Sequence, residues 1–225
     1  MSDRVFLTFK EAVRHGLGDI EGLDAIDLGS GSGGKTRALA SLGAVATGLE
    51  PQQSAVDQAR ERGGGPAYVM GSADAAPFGD AEFDLAVFTY SLHHCPDPVA
   101  ALREAVRVVR PGGRIAVFEP EADDPIYPVA KLIDDEKMVY DLAQSAIAQV
   151  SNEAGLDRAD PVRYATRYRV STAEALIEGM VSVNPNRKRP DALTFKTLFD
   201  AALERDEDGV FIPCWERLDV LRKAA

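Results

Sequence analysis

The sequence has few of the residues that mark extracellular or membrane proteins. Only two cysteines occur among 225 residues, and Cys95 and Cys214 form neither a CxxC pair nor a disulfide framework, which predicts a reducing, cytoplasmic location. No apolar run approaches the roughly 18 residues of a membrane span, so no membrane partner is expected. The first residues carry charges where a secretory signal would have an apolar core, so no leader is expected either.

Positive charge is also scarce. Lys and Arg total 25 against 36 Asp and Glu, which gives a formal net charge of −11. This balance argues against nucleic acid as a general partner and suits a protein that binds a small molecule. Because 45% of the residues are hydrophobic, the chain can bury one sizeable core. We expect a single domain over 1–225, present as a monomer or a homodimer.

Short apolar runs alternate with helical patterns in the first half of the chain. Strands are predicted at 25–29, 44–50, 67–72, 83–90 and 114–120. This alternation indicates βαβ units and a parallel sheet, whose ligands bind beyond the carboxyl ends of the strands. The functional loops are therefore expected to begin at Gly29, Glu50, Gly71, Thr89 and Glu119.

The pattern changes after residue 120. One long helix is predicted over 128–150 from its apolar stripe, and a capping box at Ser171 and Glu174 predicts a helix over 171–180. Further predictions are a strand at 166–170, a loop at 184–190, a helix at 191–205, and a strand pair or one long bent strand at 209–223.

Basic residues concentrate between 151 and 190. The cluster would either face an anionic substrate or form a solvated surface, and the second is the simpler interpretation. Its members are Arg158, Arg163, Arg167, Arg169, Arg187, Lys188 and Arg189.

The segment DLGSGSGGKT, from Asp27 to Thr36, follows a predicted strand and opens a helix. Read as D-x-G-x-G-x-G, it is a turn whose glycines allow positive φ and let an adenosyl ligand approach the backbone. Read as G-x-x-x-x-G-K-T over Gly29–Thr36, it is a phosphate-binding loop in which Lys35 reaches the phosphates and Thr36 holds Mg²⁺. Local context does not separate the two.

The next strand favours the first interpretation. Glu50 ends that strand, where an adenosyl or dinucleotide ligand needs an acid to accept from its ribose hydroxyls. A phosphate-loop enzyme needs a carboxylate after a later strand; Glu119 stands there, but its neighbour Pro120 is not typical of that class. Lys35 is then expected to be a solvated residue at the start of a helix, disfavoured there unless an anion lies nearby.

Four segments stand in an informative order: AIDLGSGSGG, VATGLEPQQSAVDQAR, GSADAAPFGDAEFDLAVFTYSLHH and LREAVRVVRPGGRIAVFEP. In this order and spacing, the chain resembles the class I S-adenosylmethionine-dependent methyltransferases, in the small-molecule branch that includes quinone-type enzymes. The resemblance implies an α/β, Rossmann-like sheet of order 3-2-1-4-5-7-6 with strand 7 antiparallel, helices on both faces and a helical insertion after strand 5. It also implies a cofactor-binding core at 25–120 and a helical cap for substrate recognition at 121–208.

The same resemblance implies the residues that bind S-adenosylmethionine. Asp27 would order the glycine loop near the methionine end, and Gly29, Ser30 and Gly31 would pass beneath the cofactor. Glu50 would bind the ribose hydroxyls.

On the adenine side, Pro51 and Gln52 would flank the base. The family usually has Gly-Asp-Ala after strand 3, with the Asp accepting from the adenine amino group. This sequence has Ser72 and Ala73 at the second and third positions, so that contact is in doubt, and Asp74 is the candidate substitute.

Thr89 and Tyr90, at the end of strand 4, would approach the methionine moiety and the reacting methyl. Methyl transfer from a sulfonium is an in-line displacement in which the protein mainly aligns the reactants and excludes water. A base is needed only if the acceptor must lose a proton, as a hydroxyl does, and the candidates are His93 and His94. Adjacent residues rarely bind one metal, so no metal is expected.

The implied activity is methyl transfer to a small molecule, with S-adenosylhomocysteine as product (EC 2.1.1.-). The acceptor pocket is expected among 119–127, the following helix and 180–189, with Tyr127, Tyr140, Met180 and Trp215 as candidate lining. Two alternatives remain: a nucleotide-binding enzyme with a phosphate loop, and a protein that binds S-adenosylmethionine without catalysis.

Overall fold

The computed structural model describes residues 5–121, 123–183 and 187–225. All five strands predicted in the first half are present. The elements of this half are α1 (Phe9–Leu17), β1 (Asp24–Leu28), α2 (Gly34–Ala40), β2 (Val45–Glu50), α3 (Gln53–Arg62), β3 (Ala67–Met70), β4 (Phe83–Thr89), α4 (Pro98–Val108) and β5 (Val109–Pro120). Short 3₁₀ turns, Ala73–Ala75 and Leu92–His94, follow β3 and β4.

The second half differs more from its prediction. It contains α5 (Tyr127–Ala130), α6 (Lys137–Glu153), β6 (Asp157–Arg158), β7 (Val162–Tyr168), α7 (Ala173–Val183), α8 (Ala192–Ala202), β8 (Glu204–Asp206) and β9 (Gly209–Arg222). The single helix predicted over 128–150 is wrong, because the chain leaves the helix after Ala130 and resumes it at Lys137. The Asp135 carboxylate accepts from the Lys137 amide at 3.3 Å, a side-chain contact that competes with helix continuation.

Smaller corrections concern element ends. The strand predicted at 166–170 is β7, which begins at Val162 and ends at Tyr168. The hydroxyl of Thr172, and not the predicted Ser171, caps α7 by accepting from the Ala175 amide at 3.1 Å. The segment predicted as a strand pair or a bent strand is one strand, β9, and the end of the helix predicted at 191–205 belongs to β8. The loop predicted at 184–190 lies partly outside the described residues.

The described strands form a nine-stranded sheet of order β3-β2-β1-β4-β5-β9-β6, and β7 and β8 also pair with β9. Strands β1 to β5 are parallel, whereas β9 is antiparallel to β5. In the predicted order 3-2-1-4-5-7-6, β9 takes the place of strand 7, and β6 and β7, which both pair with β9, take the place of strand 6. The observed order therefore confirms the predicted fold class. The insertion between β5 and β9 holds helices, as predicted, and also the strands β6 to β8.

Helices bury both faces of the sheet. Leu85 and Val87 of β4 belong to a core cluster with α1 and α2, whereas the alternating Ala86 and Phe88 belong to a cluster with α4 and α6. Successive strand residues point to opposite faces, so a strand buried on both faces appears in the sequence as a continuous apolar run. A third cluster, including Leu176, joins the insertion helices to β9.

Among the described residues, no helix combines the length and the apolar composition needed to cross a bilayer. Cys95 and Cys214 are free and half-buried. Burial raises the pKa of Cys95 to about 12 and also raises the pKa of Cys214. Neither thiol is therefore a thiolate nucleophile at neutral pH.

Candidate active site

The loop between β1 and α2 turns at glycines. Gly29 and Gly31 have φ of +83° and +52°, left-handed conformations that favour glycine. A Cβ on Gly29 would lie 2.6 Å from the Cβ of Ser91, so the loop packs closely on the segment after β4. A Cβ on Gly31 would meet no atom within 4 Å. The backbone there faces open space beside a cavity of about 710 Å³ that the loop lines.

Asp27 holds this loop from the end of β1. Its side chain is fully buried and accepts from the hydroxyls of Thr36 at 2.7 Å and Thr89 at 3.0 Å. The carboxyl thereby connects β1 to the first turn of α2 and to the end of β4. Burial raises the pKa of Asp27 to about 6, although the two hydroxyl donors oppose that rise. Its role towards a cofactor stays a prediction.

Glu50, at the end of β2, contacts the loop directly. Its Oε2 accepts from the Gly31 amide at 2.9 Å, and its Oε1 accepts from the Gln52 amide at 3.0 Å. The residue is only 7% exposed, so these two amides fix its orientation. Each carboxylate oxygen keeps a further lone pair, and a ligand with two neighbouring hydroxyls over Gly31 would donate to them.

Ser30 adds a second sign that the loop suits a polar ligand. Its Oγ is buried and has no hydrogen-bond partner among the described residues. The side chain lies against β2, where a Cβ on Gly48 would come within 2.7 Å of this oxygen. A buried hydroxyl without a partner is uncommon in folded proteins and calls for an explanation such as a missing ligand or water.

The predicted adenine-side residues lie in the loops after β2 and β3: Pro51, Gln52, Ser72, Ala73 and Asp74. These strands are adjacent and parallel, with Met70 opposite Glu50, so both loops leave the same edge of the sheet. The Met70 side chain is half exposed there. It is an apolar group at this edge that was not predicted from the sequence.

Lys35 is not the solvated side chain that was predicted. Its Nζ lies 4.5 Å from the ring centroid of Phe9 and 5.2 Å from that of Tyr90. The stem is covered because α1 places Phe9 over the loop, and a cation over an aromatic face is a favourable contact. Burial lowers the pKa of Lys35, whereas the charges of Glu216 and Asp27 raise it.

This geometry does not support the phosphate-loop alternative. Thr36 is fully buried and donates to Asp27 rather than presenting its hydroxyl to a metal. The Gly31 amide, which would have to face a phosphate, donates to the Glu50 carboxylate. That negative charge would repel a phosphate at the same place.

The two candidate catalytic histidines lie in the turn after β4. His93 is buried, and its Nδ1 hydrogen-bonds to the carboxylate of Glu119 at the end of β5. The other Glu119 oxygen accepts from the His93 amide at 3.3 Å. One carboxylate therefore orients the imidazole. The His93 ring meets Tyr140 of α6 edge-on, with 4.9 Å between centroids.

His94 has a different environment. Its ring centroid lies 4.0 Å from that of His93, and part of the residue is exposed at the surface. Desolvation of the ring, with the adjacent His93, lowers the pKa of His94 to about 4. Its imidazole is therefore neutral at physiological pH.

His93, His94 and Glu136 bring potential ligand atoms within 4.8 Å of one another, among the residues that the structure describes. Both oxygens of Glu136 already accept hydrogen bonds, from the Tyr140 hydroxyl and the Arg187 guanidinium, each at 2.9 Å. The Arg187 charge opposes a second cation there. The bonds of Glu136 to Tyr140 and Arg187 disfavour a metal here, and the expected lack of a metal stays a prediction.

A cavity of about 260 Å³ lies between the carboxyl ends of β4 and β5 and the helices α5, α6 and α7. Tyr127, Tyr140 and Met180 line it, as predicted, whereas its described lining does not include Trp215. The lining also contains three buried acids: Glu121, Asp124 and Glu216. The first two lie in the segment 119–127 that was predicted for the acceptor pocket, whereas Glu216 was not predicted from the sequence.

Tyr90 lies where the two cavities meet. Thr89 lines the glycine-loop cavity and Tyr90 lines the second cavity, so adjacent residues separate them. Tyr90 has φ of +57°, and its hydroxyl hydrogen-bonds to Glu216 on β9. Burial, with the Glu216 charge, raises the pKa of Tyr90 well above its usual value, so the hydroxyl stays protonated.

Most of the basic cluster at 151–190 is paired. Arg163 binds Glu121, and Arg187 binds Asp134 and Glu136, with only 10% of its side chain exposed. The solvated-surface interpretation is therefore wrong for Arg187, whose side chain is nearly buried and forms ion pairs within the protein. Four further members form surface or half-buried ion pairs: Arg158, Arg167, Arg169 and Arg189.

Residues 26–117 match a family model described as a methyltransferase domain. A demethylmenaquinone methyltransferase of Corynebacterium glutamicum is 32% identical over 162 residues, which are 72% of this chain and 67% of that protein. One of Corynebacterium kroppenstedtii is 33% identical over 131 residues, 58% of this chain and 56% of that protein. The crystal structure of an S-adenosylmethionine-dependent methyltransferase from Mesorhizobium loti has a TM-score of 0.57 at 19% identity, covering 94% of this chain and 96% of that one.

The sheet order and the glycine loop with its strand-end acid define an α/β protein of the nucleoside-binding type. The chain belongs to the class I S-adenosylmethionine-dependent methyltransferases, and within them it resembles the quinone-type enzymes. The matched region spans 56% and 67% of the length of the two curated relatives.

Proposed function

We propose that this protein transfers the methyl group of S-adenosylmethionine to a small-molecule acceptor and releases S-adenosylhomocysteine. The observation that carries the proposal is the contact of Glu50 with the Gly31 amide. It places an oriented carboxylate beside a glycine loop with open space over its backbone. A second cavity begins at Tyr90, one residue beyond the end of β4, where an acceptor would meet the methionine end.

When bound, the cofactor supplies a methyl group already activated on a sulfonium. Gly29, Ser30 and Gly31 form the floor of its site, and the unpartnered Ser30 hydroxyl gains a polar neighbour. Glu50 accepts from the two ribose hydroxyls. Asp27 does not touch the reacting atoms in this account; it fixes Thr89 beside the methionine end through their 3.0 Å hydrogen bond.

The loops after β2 and β3 would hold the adenine between them. Pro51 and Gln52 flank it from the start of α3. Ser72 and Ala73 lie on the other side, and Asp74 accepts from the adenine amino group in place of the aspartate that the family usually has at position 72. These loops support the proposal because the pairing of β2 with β3 brings them to one edge.

On the acceptor side, Tyr90 lies beside the reacting methyl group, and where the acceptor is a hydroxyl the imidazoles of His93 and His94 take its proton. His93 is the better oriented, because Glu119 holds its Nδ1 and leaves Nε2 as the proton-accepting nitrogen. Its ring touches Tyr140, which lines the acceptor cavity. We also propose a cytoplasmic location, which suits two free thiols.

The test is acceptor-dependent turnover. The purified chain is incubated with S-adenosylmethionine and sets of small alcohols, phenols, quinols and amines, and S-adenosylhomocysteine is quantified by mass spectrometry. The proposal predicts product formation with at least one set and its loss in Glu50→Ala, with Glu61→Ala, an exposed acid on α3, as the matched control. Tight binding of S-adenosylhomocysteine without turnover on any set would leave the non-catalytic alternative.

A further inference from the structure

We propose that the acceptor is a compact amine that binds as its ammonium form, so that the protein is an N-methyltransferase. This inference rests on the proposed function and names the substrate class of the same site. It comes from the chemistry of the 260 Å³ cavity beyond Tyr90.

The lining of this cavity carries acids and no base. Among its described residues, none is lysine or arginine. Arg163 and Arg187 bind two of the acids from outside the lining. The four acids are Glu121, Asp124, Glu136 and Glu216.

Two hydroxyls and one cation surround the carboxylate of Glu216. Its carboxylate accepts from the hydroxyls of Tyr90 and Thr166, the second at 2.8 Å. Lys35 interacts with this charge from the side of the glycine-loop cavity, which it lines, and it does not belong to the described lining of the 260 Å³ cavity. The residue is 7% exposed. Hydroxyl donors stabilise a buried carboxylate without cancelling its charge, so Glu216 presents negative potential to the cavity.

Asp124 lies across the same cavity. One of its oxygens accepts from the Ile126 amide at 3.1 Å, and the residue is 5% exposed. Burial raises the pKa of Asp124 to about 7, with the charges of Glu216 and Glu121 adding to the rise. A cation in the cavity would offset the free-energy cost of ionising the buried Asp124, since a nearby positive charge favours the ionised carboxylate.

Four tyrosine rings complete the walls: Tyr90, Tyr127, Tyr140 and Tyr168. The face of an aromatic ring attracts an ammonium within about 6 Å of its centre, and the attraction grows when both are desolvated. An anionic acceptor would meet repulsion from the acids instead. The volume, near the lower end of ligand pockets, favours a compact molecule.

The proton balance of the reaction uses the same residues. The ammonium gives one proton to the Asp124 carboxylate, from which it passes to water. The nitrogen lone pair then forms the N–C bond to the methyl carbon, while the C–S bonding pair stays on sulfur. Sulfur becomes a neutral thioether, and the positive charge moves to the methylated nitrogen. The histidine base proposed for a hydroxyl acceptor is not required on this route.

Three probes of matched size and different charge test the inference. Binding of 2-phenylethylamine, 2-phenylethanol and phenylacetate to the protein saturated with S-adenosylhomocysteine is measured by calorimetry at pH 8. We expect the amine to bind about tenfold or more tightly than the alcohol, and phenylacetate not to bind. Equal binding of amine and alcohol, or preference for phenylacetate, would overturn the inference. Failure of S-adenosylhomocysteine itself to bind would contradict the proposed function, and with it the inference that rests on it.

Amide variants locate the effect. Asp124→Asn and Glu216→Gln are expected to reduce the preference for the amine over the alcohol about tenfold and to keep S-adenosylhomocysteine binding, which also reports folding. Glu178→Gln, on the exposed side of α7, is the matched control and should keep the preference. An unchanged preference in both cavity variants contradicts the inference. If neither variant folds, the three probes on the unaltered protein decide.

Discussion

At the scale of single residues, the cofactor side of the site depends on two acids with different duties. Glu50 has both oxygens oriented by backbone amides and lies at a strand end next to open space. Asp27 is fully buried and bound to hydroxyls on two other elements. The first is placed to bind a ligand, and the second holds the loop that receives it.

Substitution of Glu50 by Gln tests the ligand-binding duty. The amide keeps the shape of the side chain and one accepting oxygen but loses the charge that strengthens bonds to ribose hydroxyls. We expect the dissociation constant of S-adenosylhomocysteine to rise about 10- to 100-fold, since a hydrogen bond to a charged group contributes about 1.5–3 kcal/mol. Calorimetry checks this, with Glu61→Gln as control. An unchanged constant would remove Glu50 from the site.

The duty of Asp27 predicts a pH effect on stability. Its pKa is about 6 in the folded protein, raised from 3.8 by burial. A raised folded pKa means that the protonated carboxyl contributes stability below about pH 4, and that this contribution is lost as pH rises through 6. Relative to Asp27→Asn, the native protein should lose up to about 3 kcal/mol of unfolding free energy between pH 4 and pH 7.

Urea unfolding of both proteins across that pH range measures the difference. Thr89→Val removes one of the two hydroxyl donors that lower the pKa of Asp27. In that variant the loss of stability should therefore continue to a higher pH. A difference between native protein and Asp27→Asn that does not change with pH would show that the carboxyl keeps an ordinary pKa despite its burial.

At the scale of elements, the sequence predicts those strands and helices whose positions follow from local apolar patterns. The strands β1 and β4 and the second half of β5 are buried on both faces, so each is a mostly apolar run, whereas the edge strand β3 exposes Met70. The helix predicted over 128–150 fails because its apolar stripe continues across Asp134, Asp135 and Glu136. Those acids lie between the two helices and contact Arg187 and the Lys137 amide. The pairing with Arg187 is not visible in a sequence pattern.

The residues of the candidate site also fall into two groups: those found from the sequence and those found only from the structure. Asp27, the glycine loop and Glu50 are all found from the sequence because each stands at a strand end in a recognisable order. The orientation of His93 by Glu119 joins the ends of two neighbouring strands, and the buried acids Asp124 and Glu216 come from distant segments. Only the folded chain brings Asp124 and Glu216 to one cavity.

Arg187 connects three segments of the insertion between β5 and β9, and these contacts predict an effect on stability. Its guanidinium binds Asp134, Glu136 and the carbonyl oxygen of Met180. Arg187→Gln leaves half-buried carboxylates without their cation, so we expect a loss of about 1–3 kcal/mol in unfolding free energy. The KM for the acceptor should rise while S-adenosylhomocysteine binding stays unchanged, because Glu136 and Met180 line only the acceptor cavity.

Arg189→Gln is the matched control for this prediction. Arg189 forms an ion pair with Glu178 in which both side chains are mostly exposed, and such pairs contribute little to stability. Urea unfolding and acceptor kinetics of the two variants are compared side by side. Similar behaviour of both would show that the buried ion pairs of Arg187 do not organise the cavity.

At the scale of the whole molecule, one edge of the sheet carries two adjoining cavities with different chemistry. The first is lined by the glycine loop and α1. The second is lined by acids and tyrosines that directly follow β4 and β5 or belong to β9 and the insertion. The chain carries a net charge of −11, and part of this excess lines the second cavity. The residues that match the family model end at 117, so most of the acceptor cavity lies outside the matched region.

Thermal unfolding with S-adenosylmethionine, S-adenosylhomocysteine and Mg²⁺–ATP in parallel tests the central claim most directly. A ligand at 100 times its dissociation constant adds about 2.7 kcal/mol of stability, which raises Tm by several degrees in a chain of this size. We predict a rise with the two adenosyl sulfur compounds, its reduction in Glu50→Gln, and no rise with Mg²⁺–ATP. A rise with Mg²⁺–ATP alone would contradict the account, because the glycine loop would then bind phosphates.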